Sequence, residues 1–234
     1  MAKLRTSPPP LRVTLGIDEA GRGPSVGPMV MAAVALCSKT AAVLTRAGLT
    51  DSKTYGAGED AHATRSELAR LIRAKARHVA LIEVPHSQID ERVARKELNV
   101  LERELATKLI DQAPAVDRII ADGKRMFAPL GQRYDHFESH DHAEEKHAAV
   151  AAASVIAKVL RDERFAQIRA RYEGEVGPIT GGGYANAATR KWLRAYAERH
   201  GRLPDETRLT WPHPYVADLL GNVHPGGAQT SLFT

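Results

Sequence analysis

Two apolar segments near the start of the chain, residues 13–17 and 29–36, are separated by only about ten residues, too few for a helical crossover between parallel strands. They are therefore expected to pair antiparallel, joined by the glycine-rich link Gly21-Arg22-Gly23-Pro24-Ser25-Val26-Gly27-Pro28. Residues 29–36 are apolar throughout, the pattern of a strand buried on both faces. Further strands are predicted at 79–84 and 118–121. Helices are predicted at 65–76, at 87–95 with Ser87 as its cap, and at 99–110. Two more are predicted at 148–161 and at 189–200, the last closed by Gly201. The order strand, strand, helix, strand, helices, strand, helices describes an α/β layer fold around a mixed sheet.

The chain has 234 residues, 43% hydrophobic and 26% charged, which suits one sizeable domain, or one domain with a small appendage, with a real core. Residues 1–11 read as a flexible basic tail, 12–220 as the domain including C-terminal helices, and 221–234 as a mobile tail. A single cysteine, Cys37, excludes an internal disulfide and fits a reducing compartment. The N-terminal stretch is basic and proline-rich and lacks the apolar core of a signal peptide. The longest apolar runs fall short of the roughly 20 residues that span a bilayer. A cytoplasmic protein without a membrane partner is expected. The net charge of +5 is compatible with a polyanionic partner.

Asp18 and Glu19 end the first strand ahead of the glycine turn, and Asp122 ends the strand at 118–121. Carboxylates at strand ends converge when the strands are neighbours, and converging carboxylates repel unless a cation lies between them. Magnesium prefers oxygen ligands and keeps water. Two ions bridged by carboxylates can activate a water and stabilise a leaving oxygen in phosphodiester cleavage. Taken one at a time, these positions are more often ordinary acidic turns.

The stretch Gly16-Ile17-Asp18-Glu19-Ala20-Gly21-Arg22-Gly23-Pro24, followed by Gly27-Pro28, resembles the opening motif of type 2 ribonucleases H. The resemblance continues in order through Asp51-Ser52-Lys53, through Ala121-Asp122-Gly123, and through the alanine-serine run from Ala151 to Val159 followed by Arg161-Asp162. Gly183-Tyr184 and residues 208–211 are similar to the archaeal and eukaryotic branch. About residues 12–216 are covered. The resemblance implies a ribonuclease H-like fold, with a central five-stranded mixed sheet flanked by helices and a helical C-terminal extension. It also implies a metal-dependent endonuclease that hydrolyses the RNA strand of an RNA/DNA hybrid and cuts 5′ of ribonucleotides embedded in duplex DNA, with Mg2+ or Mn2+ as cofactor. Four acidic residues hold two metals in that family, and Asp18, Glu19 and Asp122 match three of them. Gly21, Arg22 and Gly23 match the backbone reader of the ribonucleotide junction. Glycines let the main chain approach a 2′-OH closely, and that hydroxyl is what separates RNA from DNA. Tyr184 matches the tyrosine that stacks near the junction. Ser52 and Lys53 match phosphate contacts, and a lysine point charge beside a hydroxyl suits a phosphate. Lys158 and Arg161 are candidates for backbone contact, or complement the dipole at the C-terminal end of their helix.

The chain departs from the family pattern where the fourth aspartate is expected, for the same offset here gives Glu144. Glu145 and Asp141 are rivals for that role. Residues 136–147 read as a polar loop rich in histidine and acid, whose irregular spacing argues against a dedicated zinc site. The Glu144 position is the one feature favouring an alternative reading, a nucleic-acid-binding protein of the same fold with weakened catalysis. No partner-binding motif stands out near the C-terminus, and a monomer is expected.

Overall fold

A computed structural model describes residues 12–50, 55–56, 59–179 and 181–210. Five strands form one mixed sheet in the order β3-β2-β1-β4-β5. β1 (Val13–Ala20) and β2 (Met29–Cys37) pair antiparallel, as their short link requires, with Val13 opposite Cys37 and Ala20 opposite Val30. β3 (His78–Val84) adds antiparallel to β2. β4 (Arg118–Asp122) and β5 (Phe137–His140) continue parallel on the other side of β1.

Every residue of β2 is buried, and the period of two explains how. Met29, Met31, Ala33, Ala35 and Cys37 face one core with Leu101, Leu105, Ala106 and Leu109 of α4 (Leu98–Gln112). Val30, Ala32, Val34 and Leu36 face a second core. There they meet α1 (Ser38–Arg46), α2 (Glu59–Lys75) and the first half of α6 (Ala148–Val176). α3 (His86–Ala94) and the short α5 (Lys124–Phe127) complete the α4 side.

Several expectations need correction. The helix predicted at 148–161 runs on to Val176. The polar run from Arg161 to Arg164 marks a change of partner instead of an end. Beyond it, Phe165, Ile168 and Tyr172 recur at helical spacing. They build a third core with Trp192, Leu193 and Tyr196 of α7 (Ala187–His200), the C-terminal extension. Lys158 and Arg161 are thus mid-helix and complement no terminal dipole. The cap of α3 is Pro85, with no side-chain hydrogen bond, and not Ser87. The loop expected at 136–147 contains β5. This is a half-exposed edge strand whose polar residues hid it, held by paired contacts of 2.6 Å from Arg118 to Glu138. Residues 38–46, for which no element is predicted, form α1. The first strand, expected to end in Asp18-Glu19, runs one residue further to Ala20, so both carboxylates lie inside it. α7 has the expected ends. Asn186 accepts the Thr189 amide at 2.9 Å, a cap worth about 1 kcal/mol, and Gly201 adopts a left-handed conformation. Among the described residues no helix is long and apolar enough to cross a membrane.

Candidate active site

The parallel register of β1 and β4 pairs Ile17 with Ala121, so the next residues, Asp18 and Asp122, stand side by side. Both project to the α6 face, opposite to Ile17 and Ala121, which enter the α4 core. α6 comes unusually close here. A Cβ on Gly16 would collide with the main chain of Ala149 and Val150. That approach brings Ser154 to hydrogen-bonding distance of Asp18. The turn at 143–145, just ahead of α6, is tied to the same strand end, because Asp122 Oδ1 accepts the Ala143 amide at 2.8 Å. The turn delivers Glu144, 3% exposed, to a pocket of about 1140 Å³ that Asp18, Glu19 and Asp122 also line.

These carboxylates are held at an electrostatic cost. Burial first, then the neighbouring Asp122, push Asp18 up to about 8, with Glu144 adding to the effect. The Ser154 hydroxyl and the Glu19 amide, 2.8 Å from Asp18 Oδ1, pull the other way. Glu19 is raised well above the usual carboxylate range by burial, then by Asp18, Glu102 and Asp122. Its Oε2 is enclosed without a hydrogen-bond partner. Buried like charges and an unsatisfied carboxylate oxygen are what a bound cation relieves, and the all-oxygen donor set suits a hard divalent ion. Glu19 projects to the opposite face of the sheet from Asp18. Among the described residues no three acidic, histidine or cysteine side chains stand together as a group that could hold a metal ion. Magnesium retains several waters and takes few carboxylates directly.

The rim of the pocket is the glycine turn. Gly21 has φ +85°, and a Cβ there would lie 2.6 Å from the Pro28 carbonyl. Gly23 lies against the ring of Tyr184, which is 46% exposed. The Ser25 amide donates to the Gly183 carbonyl at 2.7 Å, fastening the tyrosine loop to the turn. The Arg22 guanidinium turns away to α4. It donates to Glu102 Oε1 at 2.8 Å and Asn99 Oδ1 at 2.9 Å. What Arg22 offers to the pocket is therefore chiefly its main chain.

Of the three candidates for the fourth carboxylate, Glu144 is the one in the pocket. Glu145 is exposed, 3.7 Å from the His142 ring. Asp141 is exposed and accepts the Lys124 amide at 2.8 Å. Ser52 and Lys53 lie outside the described residues, as do Asp51, Trp211 and both terminal tails. Arg161 lines the pocket but is 2% exposed, with its guanidinium donating to the Gly182 carbonyl at 2.5 Å and lying 5.6 Å from the Tyr184 ring centre. It supports the loop from inside. Lys158 also lines the pocket and pairs with Asp162 at 2.6 Å.

Sequence reasoning missed Glu102, buried at 0% exposure beside Glu19, and Arg208, 1% exposed behind the glycine turn. A polar residue on a helix or tail carries no sequence sign of burial. The similarity of residues 208–211 to the archaeal and eukaryotic branch was the only pointer to Arg208.

The family model described as Ribonuclease HII matches residues 15–213. Ribonuclease HII of Pyrococcus furiosus is 34% identical over 204 residues, covering 84% of this chain and 87% of the relative. The ribonuclease H2 structure from Pyrococcus horikoshii superposes with a TM-score of 0.73 at 29% identity, over 86% of this chain and 94% of that one. RNase HII in the PCNA:RNase HII complex from Archaeoglobus fulgidus gives 0.71 at 31% identity, over 85% and 93%.

Proposed function

The chain belongs to the ribonuclease HII family and is a metal-dependent ribonuclease H acting on RNA paired with DNA; from that premise we propose that it also cuts 5′ of single ribonucleotides embedded in duplex DNA, by a two-metal mechanism. The products are a 3′-OH and a 5′-phosphate. The observation that carries this reading is one pocket lined both by Asp18, Glu19, Asp122 and Glu144 and by Gly21, Arg22, Gly23 and Tyr184.

Asp18, Glu19, Asp122 and Glu144 are the residues that would hold Mg2+ or Mn2+. When bound, the divalent ions supply an activated water and charge stabilisation at the leaving oxygen. The protein's own part is to orient these carboxylates. Ser154 and the Glu19 amide hold Asp18, and the Ala143 amide holds Asp122. The main chain of Gly21, Arg22 and Gly23 meets the 2′-OH, and the exposed Tyr184 ring stacks at the junction. Ser52 and Lys53 contact phosphate, which positions the duplex without reading its sequence.

The test is cleavage of an end-labelled duplex carrying one ribonucleotide, in magnesium, in manganese and in EDTA. The expected product is a single cut on the 5′ side in either metal and none in EDTA. A cut on the 3′ side, or one that survives EDTA, contradicts the reading.

A further inference from the structure

The main chain of the glycine turn is held from behind by one buried side chain. Arg208 donates from Nη2 to the Gly21 carbonyl at 2.5 Å, from Nη1 to the Arg22 carbonyl at 2.7 Å, and from Nε to the Gly27 carbonyl at 3.0 Å. A guanidinium presents its donors in one rigid plane, so the three carbonyls are fixed relative to one another. In a trans peptide the C=O and N–H point in opposite directions, and the described residues contain no cis peptide. The Gly21 carbonyl shares its peptide plane with the Arg22 amide, and the Arg22 carbonyl with the Gly23 amide. Holding both oxygens on the Arg208 side therefore turns the Arg22 and Gly23 amides to the other side. Neither amide donates to a main-chain carbonyl among the described residues, and both residues line the pocket.

Arg208 is itself anchored. Its amide donates to the Ser25 carbonyl at 2.7 Å, and the next two amides, of Leu209 and Thr210, donate to Asp90 of α3 at 2.8 and 3.0 Å. Burial, reinforced by the nearby charge of Arg161, lowers Arg208 to about 10. A buried cation is an expensive way to brace a loop, and Nε, Nη1 and Nη2 of Arg208 all donate to main-chain carbonyls of the turn.

We propose that Arg208 is the positioning residue for ribonucleotide recognition, aiming the main-chain amides of Arg22 and Gly23 at the 2′-oxygen. The inference rests on the junction reading given above for the Gly21 to Gly23 turn.

The experiment is a coupling measurement between Arg208 and the 2′-OH. Wild type, Arg208→Met and Arg208→Lys are assayed for kcat and KM on a single-ribonucleotide duplex and on the same duplex with 2′-fluoro, a poor acceptor, at that sugar. Wild type is expected to lose about tenfold in kcat/KM on the fluoro substrate, the size of one or two hydrogen bonds. Arg208→Met is expected to lose less than about twofold from the same replacement, because its amides no longer converge, and Arg208→Lys to fall between. A fluoro penalty of equal size in wild type and Arg208→Met overturns the role of Arg208 while leaving the junction reading intact. No penalty in wild type overturns the junction reading and the proposal with it. Should Arg208→Met fail to fold, Asp90→Asn decides. That change weakens the anchor of Leu209 and Thr210 and keeps the guanidinium. A reduced fluoro penalty supports the proposal, and an undiminished one overturns it.

Discussion

Gly16 of β1 lies directly beneath the main chain of Ala149, in the first turn of α6, with no room between them for a Cβ. This approach sets the depth at which α6 sits on the sheet, and so the reach of Ser154 and Glu144 toward Asp18. Gly16→Ala is expected to cost about 1–3 kcal/mol through overpacking and to lower turnover as well. Urea denaturation and a cleavage assay check both. A wild-type midpoint with wild-type turnover would show that the site does not depend on this contact.

Asp18→Asn and Asp122→Asn are expected to abolish cleavage while leaving the fold intact. An amide keeps the shape and loses the charge that binds metal. A folded Asp18→Asn protein with near-wild-type turnover in magnesium sinks the assignment.

Asp18 also predicts a pH dependence of the metal-free protein. Its carboxyl has a folded pKa of about 8 against the ordinary 3.8. Between those values the folded state binds more protons than the unfolded state, so stability falls as pH rises through the window. Asp18→Asn removes that contribution. Urea midpoints in EDTA at the two ends of the window should converge in the variant relative to wild type. An unchanged slope places the titration elsewhere.

Tyr184→Ala is expected to damage cleavage of single-ribonucleotide duplexes more than cleavage of long hybrids. The junction contact is lost, whereas contacts to phosphate remain. Side-by-side kcat/KM values on the two substrates measure this, and equal losses would assign Tyr184 a structural role.

If Glu144 is the fourth ligand, a glutamate there adds about 1.5 Å of reach over an aspartate, one carbon–carbon bond. Magnesium demands near-ideal octahedral geometry; manganese also accepts oxygen ligands and is expected to tolerate the altered site better, so activity should lean toward manganese. Glu144→Gln is expected to be inactive, and Glu145→Gln and Asp141→Asn active, when all three are assayed in both metals. A silent Glu144→Gln beside an inactive neighbour would move the fourth ligand to that neighbour.

The antiparallel start of the sheet was legible in the sequence because a link of ten or so residues permits little else. The pairing of Val13 with Cys37 through Ala20 with Val30 follows that rule. The buried strand β2 was legible because apolar residues on both faces leave no other reading. Helix ends were less so. The charged run after Lys158 resembles a terminus, yet α6 continues to Val176, since the helix exchanges one apolar partner for another. β5 was invisible because an edge strand of Phe-Glu-Ser-His shows no apolar period.

For the site, the local order of residues determined Asp18, Glu19 and Asp122 as candidates, together with the glycine turn, because short motifs carry the residue types that metal and backbone chemistry need. Which of them meet is a matter of strand order. β4 lies parallel to β1 and not at the far edge, and only that neighbourhood sets Asp122 beside Asp18. That Glu144 lines the pocket while Glu145 and Asp141 do not is likewise tertiary, set by the turn that the Ala143 amide ties to Asp122. So was the part played by Arg208, which crosses from the last described segment to hold a turn some 186 residues earlier. Long-range contacts of this kind have no local pattern, because a buried charge is defined by what surrounds it and not by its neighbours along the chain.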